Sequence, residues 1–253
     1  MGKIIELGTD ETFDAYVSSP STGEGTAPKG AIIVIHEIWG LVDHIKGIAD
    51  RFAAEGYLAL APDLLSHVGI DAHLGVELQQ IMFSADEKVR TEGQPRLREA
   101  LSPLRAPEFA AWAVSALKQC VDYLAEQPGV DGRIAVTGFC FGGSYSFALA
   151  AADSRVSAAV PFYGQPPESS DVSKIEAPIL AFYGANDENL IKTLPDVTAA
   201  MSSAGVDFTS KVYEGTGHAF FNDSNPRMYD ADAAVDAWGR TLAFLDDTLG
   251  KAV

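Results

Sequence analysis

Cysteine, positive charge and long apolar runs are all scarce in this sequence. Its 253 residues hold two cysteines, Cys120 and Cys140, too few and too scattered for a disulfide framework. Both are expected to be reduced thiols in a cytosolic protein. Eighteen Lys and Arg face 35 Asp and Glu, for a formal net charge of −17. Nucleic acid is a poor partner for such a chain, because phosphate binding needs clustered cations. No apolar run approaches the ~20 residues of a membrane span. The first residues, Met1 to Glu6, have no apolar signal core, and Glu6 stands where a myristoylation motif needs Ser or Thr. Neither membrane nor nucleic acid is therefore an expected partner. His36, His44, His67 and His73 lack the paired spacing of a metal site, so no metal or other cofactor is expected. Hydrophobic residues are plentiful at 47%, enough for a large core without staples. One domain over residues 1–253 is the expectation, as a monomer or small homo-oligomer.

The pattern along the chain alternates strand with helix. Residues 3–7 and 12–18 read as an edge hairpin, and 20–30 as a turn-rich connection. The run 31–35 (AIIVI) is a strand covered on both faces. Asp43 to Glu55 has helical spacing and stops at Gly56, and Tyr57 to Ala61 is a further buried strand. Pro107 to Gln127 predicts a long helix, Val156 to Phe162 and Ile179 to Tyr183 strands, and Leu194 to Ala204 a helix. Phe208 to Tyr213 is the last strand and Ala231 to Leu249 a closing amphipathic helix. The implied fold class is α/β, with a mostly parallel central sheet and helices on both faces. Residues 64–105 are harder to read, with short helical patches and a charged stretch. From Asp86 to Arg105 five cations meet four anions; this variable, cap-like segment is expected over the rim of the site.

The densest signal is Gly138-Phe139-Cys140-Phe141-Gly142-Gly143, between a β-branched run ending at Thr137 and a helical stretch from Ser144. Strand, G-x-C-x-G-G, then helix is the setting of a nucleophile elbow, with sulfur replacing the usual serine oxygen. The sharp turn tolerates no bulk two residues to either side, and glycines at 138 and 142 meet that need. The sulfur would sit at a helix N-terminus, whose free N–H groups favour a thiolate.

Ligands of such sheets bind beyond the C-terminal ends of the strands. Glu37, Cys140 and Asp187 occupy three of those ends, and His218 follows the last strand in a glycine-rich loop. Nucleophile, acid, histidine is the chain order of α/β-hydrolases. In that reading His218 activates Cys140 and later water, while Asp187 fixes the imidazole tautomer. Asp207 and Asp223 are rival acids, less well placed.

The elbow, His36-Glu37-Ile38-Trp39-Gly40, the stretch Gly56 to Leu64, and the later Asp187 and His218 together resemble the dienelactone hydrolase (carboxymethylenebutenolidase) family. The likeness runs from about residue 10 to 249 and is weakest over 64–105. It implies an α/β-hydrolase fold, a Cys140–His218–Asp187 triad, and an oxyanion hole from the N–H groups of Phe141 and Ile38. Each such donor is worth about 3 kcal/mol at the tetrahedral stage. The resemblance also implies that Glu37 pairs with the resting thiol and takes its proton. Family members carry an arginine four residues after the histidine, which grips the substrate carboxylate. Asn222 stands there instead, which argues against dienelactone itself as substrate. Arg90, Arg96, Arg98 or Arg105 is left to supply a cation, with Trp39 and Asn222 as further candidate contacts.

The expected activity is hydrolysis of a small carboxylic ester or lactone through an acyl-cysteine. Two other readings are open: a broad esterase or thioesterase on neutral acyl groups, and a redox or binding thiol on a hydrolase scaffold.

Overall fold

The computed structural model describes residues 2–9, 11–20, 27–167 and 169–250. Strand β1 (Lys3–Leu7) pairs antiparallel with β2 (Phe13–Ser18), the hairpin expected at the sheet edge. β3 (Ala31–Ile35), β4 (Leu58–Pro62), β5 (Ile134–Phe139), β6 (Val156–Phe162), β7 (Ile179–Gly184) and β8 (Phe208–Tyr213) complete one sheet. Its order is β1-β2-β4-β3-β5-β6-β7-β8, parallel from β4 to β8. The unbroken apolar strands are buried on both sides. Ile32 and Val34 enter one core, Ala31, Ile33 and Ile35 the other, as the two-residue repeat of a strand requires.

Helices α1 (Asp43–Ala54), α2 (Ala72–Phe83), α3 (Glu87–Glu92), α4 (Gln94–Leu101), α5 (Pro107–Ala125), α6 (Phe141–Ala152), α7 (Ser169–Val172), α8 (Glu188–Ala204) and α9 (Ala231–Leu249) supply the covering layers. α1 and α9 fill one core and α6, α8 and most of α5 the other. Cys120 lies buried in that second core as a free thiol, its pKa pushed up by burial. Among the described residues, no helix is long and apolar enough to cross a membrane.

The connection over 20–30 lies largely outside the described residues, which omit 21–26. One boundary differs from expectation. Helix α8 begins at Glu188, not Leu194, and runs through Pro195. Proline usually ends a helix by removing an N–H and crowding the preceding turn. Here the following turns carry the helix on to Gly205, whose left-handed φ of 75° closes it.

The strand order decides where a site can form. From β3 the chain moves outward to β4, then returns to the far side of β3 as β5. That reversal opens a crevice between the C-terminal ends of β3 and β5. It brings the loop after Ile35 beside the turn after Phe139. Residues 64–105 contribute no strand; α2, α3 and α4 pack over that edge.

Candidate active site

Cys140 stands between β5 and α6 with φ 56° and ψ −110°. A positive φ costs a residue with a Cβ about 1–3 kcal/mol and persists only where the surroundings enforce it. Cys140 N–H donates to the Phe162 carbonyl at 3.0 Å, and its own carbonyl accepts from Ser144 N–H at 3.1 Å. A Cβ on Gly138 would collide with the Gly142 carbonyl, and one on Gly142 with the carbonyls of Ile35 and His36. Strand, turn and helix are therefore in backbone contact, and the sulfur is pushed out beyond the sheet. The thiol is partly exposed.

His218 reaches the same place from the loop after β8. Its Nδ1 lies 2.5 Å from Asp187 Oδ2. Asp187 occupies the N-cap position of α8 yet makes no side-chain cap bond; its carboxylate serves the imidazole instead of the helix. The two loops are tied by Asn186 N–H to the Thr216 carbonyl at 2.8 Å and Asn186 Nδ2 to the Gly215 carbonyl at 3.0 Å. With Nδ1 engaged, Nε2 is the nitrogen left for Cys140. Burial works against charging the ring, but hydrogen bonds to Asp187 and Cys140 outweigh it and raise the His218 pKa to about 10. The rival acids lie elsewhere: Asp207 is exposed at the start of β8, and Asp223 binds His44 Nδ1 at 2.9 Å.

Glu37 follows β3 and is 3% exposed. Among the described residues it has neither a cation nor the thiol as a hydrogen-bond partner. Its Oε2 accepts from Asn222 Nδ2 at 2.6 Å, and its Oε1 lies 3.5 Å from the Tyr163 hydroxyl. Burial raises the Glu37 pKa to about 7 against the pull of Asn222, His218 and Tyr163. Two expectations are corrected here. The pairing of Glu37 with the thiol gives way to an amide and a phenol. Asn222 is wholly buried, with Oδ1 accepting from Ser224 N–H and Oγ; it faces Glu37 and not the substrate cleft.

Ile38 and Phe141 both line the cleft beside Cys140. Among the described residues no backbone carbonyl accepts from the Ile38 N–H, and Phe141 N–H belongs to the first turn of α6, where intrahelical acceptors are missing. Behind them His36 is buried and uncharged, its pKa lowered by burial. Its Nε2 accepts from Leu64 N–H at 3.1 Å, so Nδ1 carries the proton toward the Glu37 carbonyl at 2.7 Å. Its ring stacks on Phe141 at 5.6 Å. The ring thus holds the turn that presents Ile38 and braces the elbow at once.

The candidate cations separate. Arg105 is exposed on the cleft wall, and among the described residues its side chain has no hydrogen bond or ion pair. Arg90 also reaches the cleft, but its Nη1 donates to the carbonyls of Ser84 and Ala85. Arg96 pairs with Glu77 and lies outside the cleft lining, as does Arg98. Trp39 does line the cleft. Two residues went unsuspected. Tyr163 at the end of β6 has φ 39° and its ring centre lies 5.0 Å from that of His218; attention to every strand end would have found it. Arg227 lines the cleft from a loop that carries no motif. Among the described residues, no three His, Cys, Asp or Glu are grouped to hold a metal.

A parallel sheet reversing at β3, with a strained turn and a histidine loop at its carboxyl edge, defines an α/β-hydrolase. Residues 13–249 match the Dienelactone hydrolase family, and the chain belongs to it. A protein of Saccharolobus solfataricus named "Putative carboxymethylenebutenolidase" is 35% identical over 91% of this chain and 92% of its own. One of the same name from Escherichia coli is 30% identical over 95% and 84%. The crystal structure of a Klebsiella pneumoniae "Putative Dienelactone Hydrolase" superposes with a TM-score of 0.79 at 28% identity, covering 97% of this chain and 98% of that one. The protein is a hydrolase of ester or lactone bonds.

Proposed function

We propose that Cys140, His218 and Asp187 form a catalytic triad that hydrolyses carboxylic esters or lactones through an acyl-cysteine. The observation that carries this reading is the Nδ1–Oδ2 contact of 2.5 Å between His218 and Asp187, which leaves the other ring nitrogen available to the sulfur at the strained turn. His218 holds the Cys140 proton on Nε2 from the start, and the thiolate sulfur bonds to the substrate carbonyl carbon. The carbonyl electron pair moves onto oxygen, where the N–H groups of Ile38 and Phe141 stabilise it by about 3 kcal/mol each. As the tetrahedral adduct collapses, the C–O bond to the alcohol breaks and His218 returns the proton to the leaving oxygen. Water then attacks the thioester with His218 as base, releasing the acid and restoring the thiolate. Asp187 holds the ring and supports its positive charge throughout.

Glu37 takes part in the same reading from beside the Tyr163 hydroxyl and the charge of His218. The test is Cys140→Ala assayed on p-nitrophenyl acetate and an enol lactone, with intact-mass detection of acyl transfer in the unmodified protein. Loss of turnover and a covalent acyl adduct are expected. Retained turnover in the variant removes Cys140 from the mechanism.

A further inference from the structure

Two cavities meet at Ile38, Cys140 and His218, one on each side of the sulfur. The smaller, of about 380 Å³, runs beneath Leu101, Leu104 and Arg105. The larger, of about 670 Å³, is walled by Ile38, Trp39, Met82, Phe83, Ala219 and Met228. Its roof is the end of α2 together with α3, and its floor is the turn after β3.

That roof is seated firmly. A Cβ on Gly75 would strike the Trp39 carbonyl, so α2 lies directly on the turn that carries Trp39. Trp39 and Phe83 then meet edge to face at 5.5 Å. The two guanidinium groups of this cavity each spend Nη1 on backbone carbonyls. Arg90 Nη1 donates to the Ser84 carbonyl at 2.6 Å and the Ala85 carbonyl at 2.9 Å, and Arg227 Nη1 to the same Ser84 carbonyl at 3.1 Å. Both guanidinium groups close the carbonyl end of α2, where helix geometry leaves acceptors unpaired. Glu37 and Glu87 are the acids of the same wall. An anionic group would find engaged cations and two carboxyl side chains there; an uncharged apolar group would find aromatic and thioether surface.

We propose that the larger arm binds an uncharged apolar substituent of the ester, a medium-length alkyl chain or an aryl ring, and that this chain prefers such esters to small polar ones. The proposal rests on Cys140 as nucleophile, because the arm is defined by its opening onto that sulfur. Met82 and Met228 supply flexible walls that adapt to either shape. Each methylene buried there favours binding about fourfold.

The experiment measures kcat/KM across two ester series. One lengthens the acyl group from acetate through butyrate to hexanoate and phenylacetate over a constant p-nitrophenol. The other lengthens the alcohol over a constant acetyl group. A rise of about tenfold or more to the six-carbon member is expected in one series. In Phe83→Ser and in Thr91→Trp, at an exposed position of α3 that lines the arm, the ratio of the six-carbon to the shortest member of the rising series should fall at least about threefold. A flat or falling profile in both series overturns the proposal. Should no ester turn over, stabilisation of the unmodified protein by 2-octanone against acetone in thermal denaturation decides it, and equal shifts overturn it. Cys140→Ala separates the two levels. Its retained turnover would refute the nucleophile whatever the profile, whereas a flat profile with an inert variant refutes only the apolar arm.

Discussion

Asn222 donates its side-chain N–H to Glu37 Oε2 at 2.6 Å across 185 positions of sequence, in the interior of the protein. An amide gives a carboxylate one good hydrogen bond but no opposite charge, and burial then dominates. The Glu37 pKa is accordingly raised from the usual 4.5 to about 7.

The first prediction concerns stability against pH. Between 4.5 and 7 the unfolded chain gives up the Glu37 proton while the folded protein keeps it, so stability falls as pH rises. Below 4.5 the residue is neutral in both states, and above 7 it is ionised in both. Glu37→Gln removes this dependence. Its stability relative to the unmodified protein should climb from pH 4.5 to 7 and level off at a gain of about 3 kcal/mol. Urea denaturation from pH 4 to 8 provides the check; parallel curves for the two proteins would show that Glu37 is not buried as a neutral acid.

His218 runs in the opposite sense. Its folded pKa of about 10 exceeds the ordinary 6.5, so the stability it contributes is complete below 6.5 and is lost as pH rises through 10. The ring is 39% exposed, and solvent screening makes the contribution modest. Asp187→Asn should lower the midpoint of the His218 ring protons in an NMR titration and cut kcat/KM by about a hundredfold or more. An unchanged midpoint would show that the 2.5 Å contact does not govern the ring.

Much of this was legible in the sequence because the signals were local. β-branched runs such as 31–35 marked buried strands, and glycines at 138 and 142 marked the turn on which Cys140 stands. The family resemblance is confirmed over residues 13–249. What escaped was long-range. Nothing near Asn222 announces that it turns inward to Glu37, because its position is fixed by how the loop after β8 folds over β3. The start of α8 was hidden because Asp187 sits at its cap without capping it, and Pro195 imitated a boundary. For 64–105, weakly amphipathic short helices left the path to be set by packing on Trp39.

The glycines divide into two kinds, with opposite consequences. Gly142→Ala forces a methyl into the carbonyls of Ile35 and His36, and overpacking of this sort costs about 1–3 kcal/mol. Gly47, within α1, has nothing within 4 Å of a would-be Cβ. There alanine relieves the helix penalty of glycine and should stabilise by about 0.5–1 kcal/mol. Denaturant midpoints of the two variants should therefore move in opposite directions. A Gly142→Ala protein as stable as its parent would mean the turn can open.

The smaller arm carries the remaining question of charge. Arg105 is exposed beside Cys140, Phe141 and His218, with no described partner for its side chain, whereas Arg90 and Arg227 are held by backbone carbonyls. A substrate carboxylate entering this arm would meet a guanidinium with every N–H free among the described residues. Charge-assisted hydrogen bonds contribute about 1.5–3 kcal/mol, or about tenfold and upward in affinity. For a matched pair of esters differing only in a carboxylate on the group that enters this arm, Arg105→Gln should lower the ratio of charged to neutral kcat/KM about tenfold. The effect should shrink in high salt, since the guanidinium is exposed and its field is screened over about 10 Å at 0.1 M. An unaltered ratio would leave the small arm without a role for charge, and the substrate then needs to be neutral at both ends.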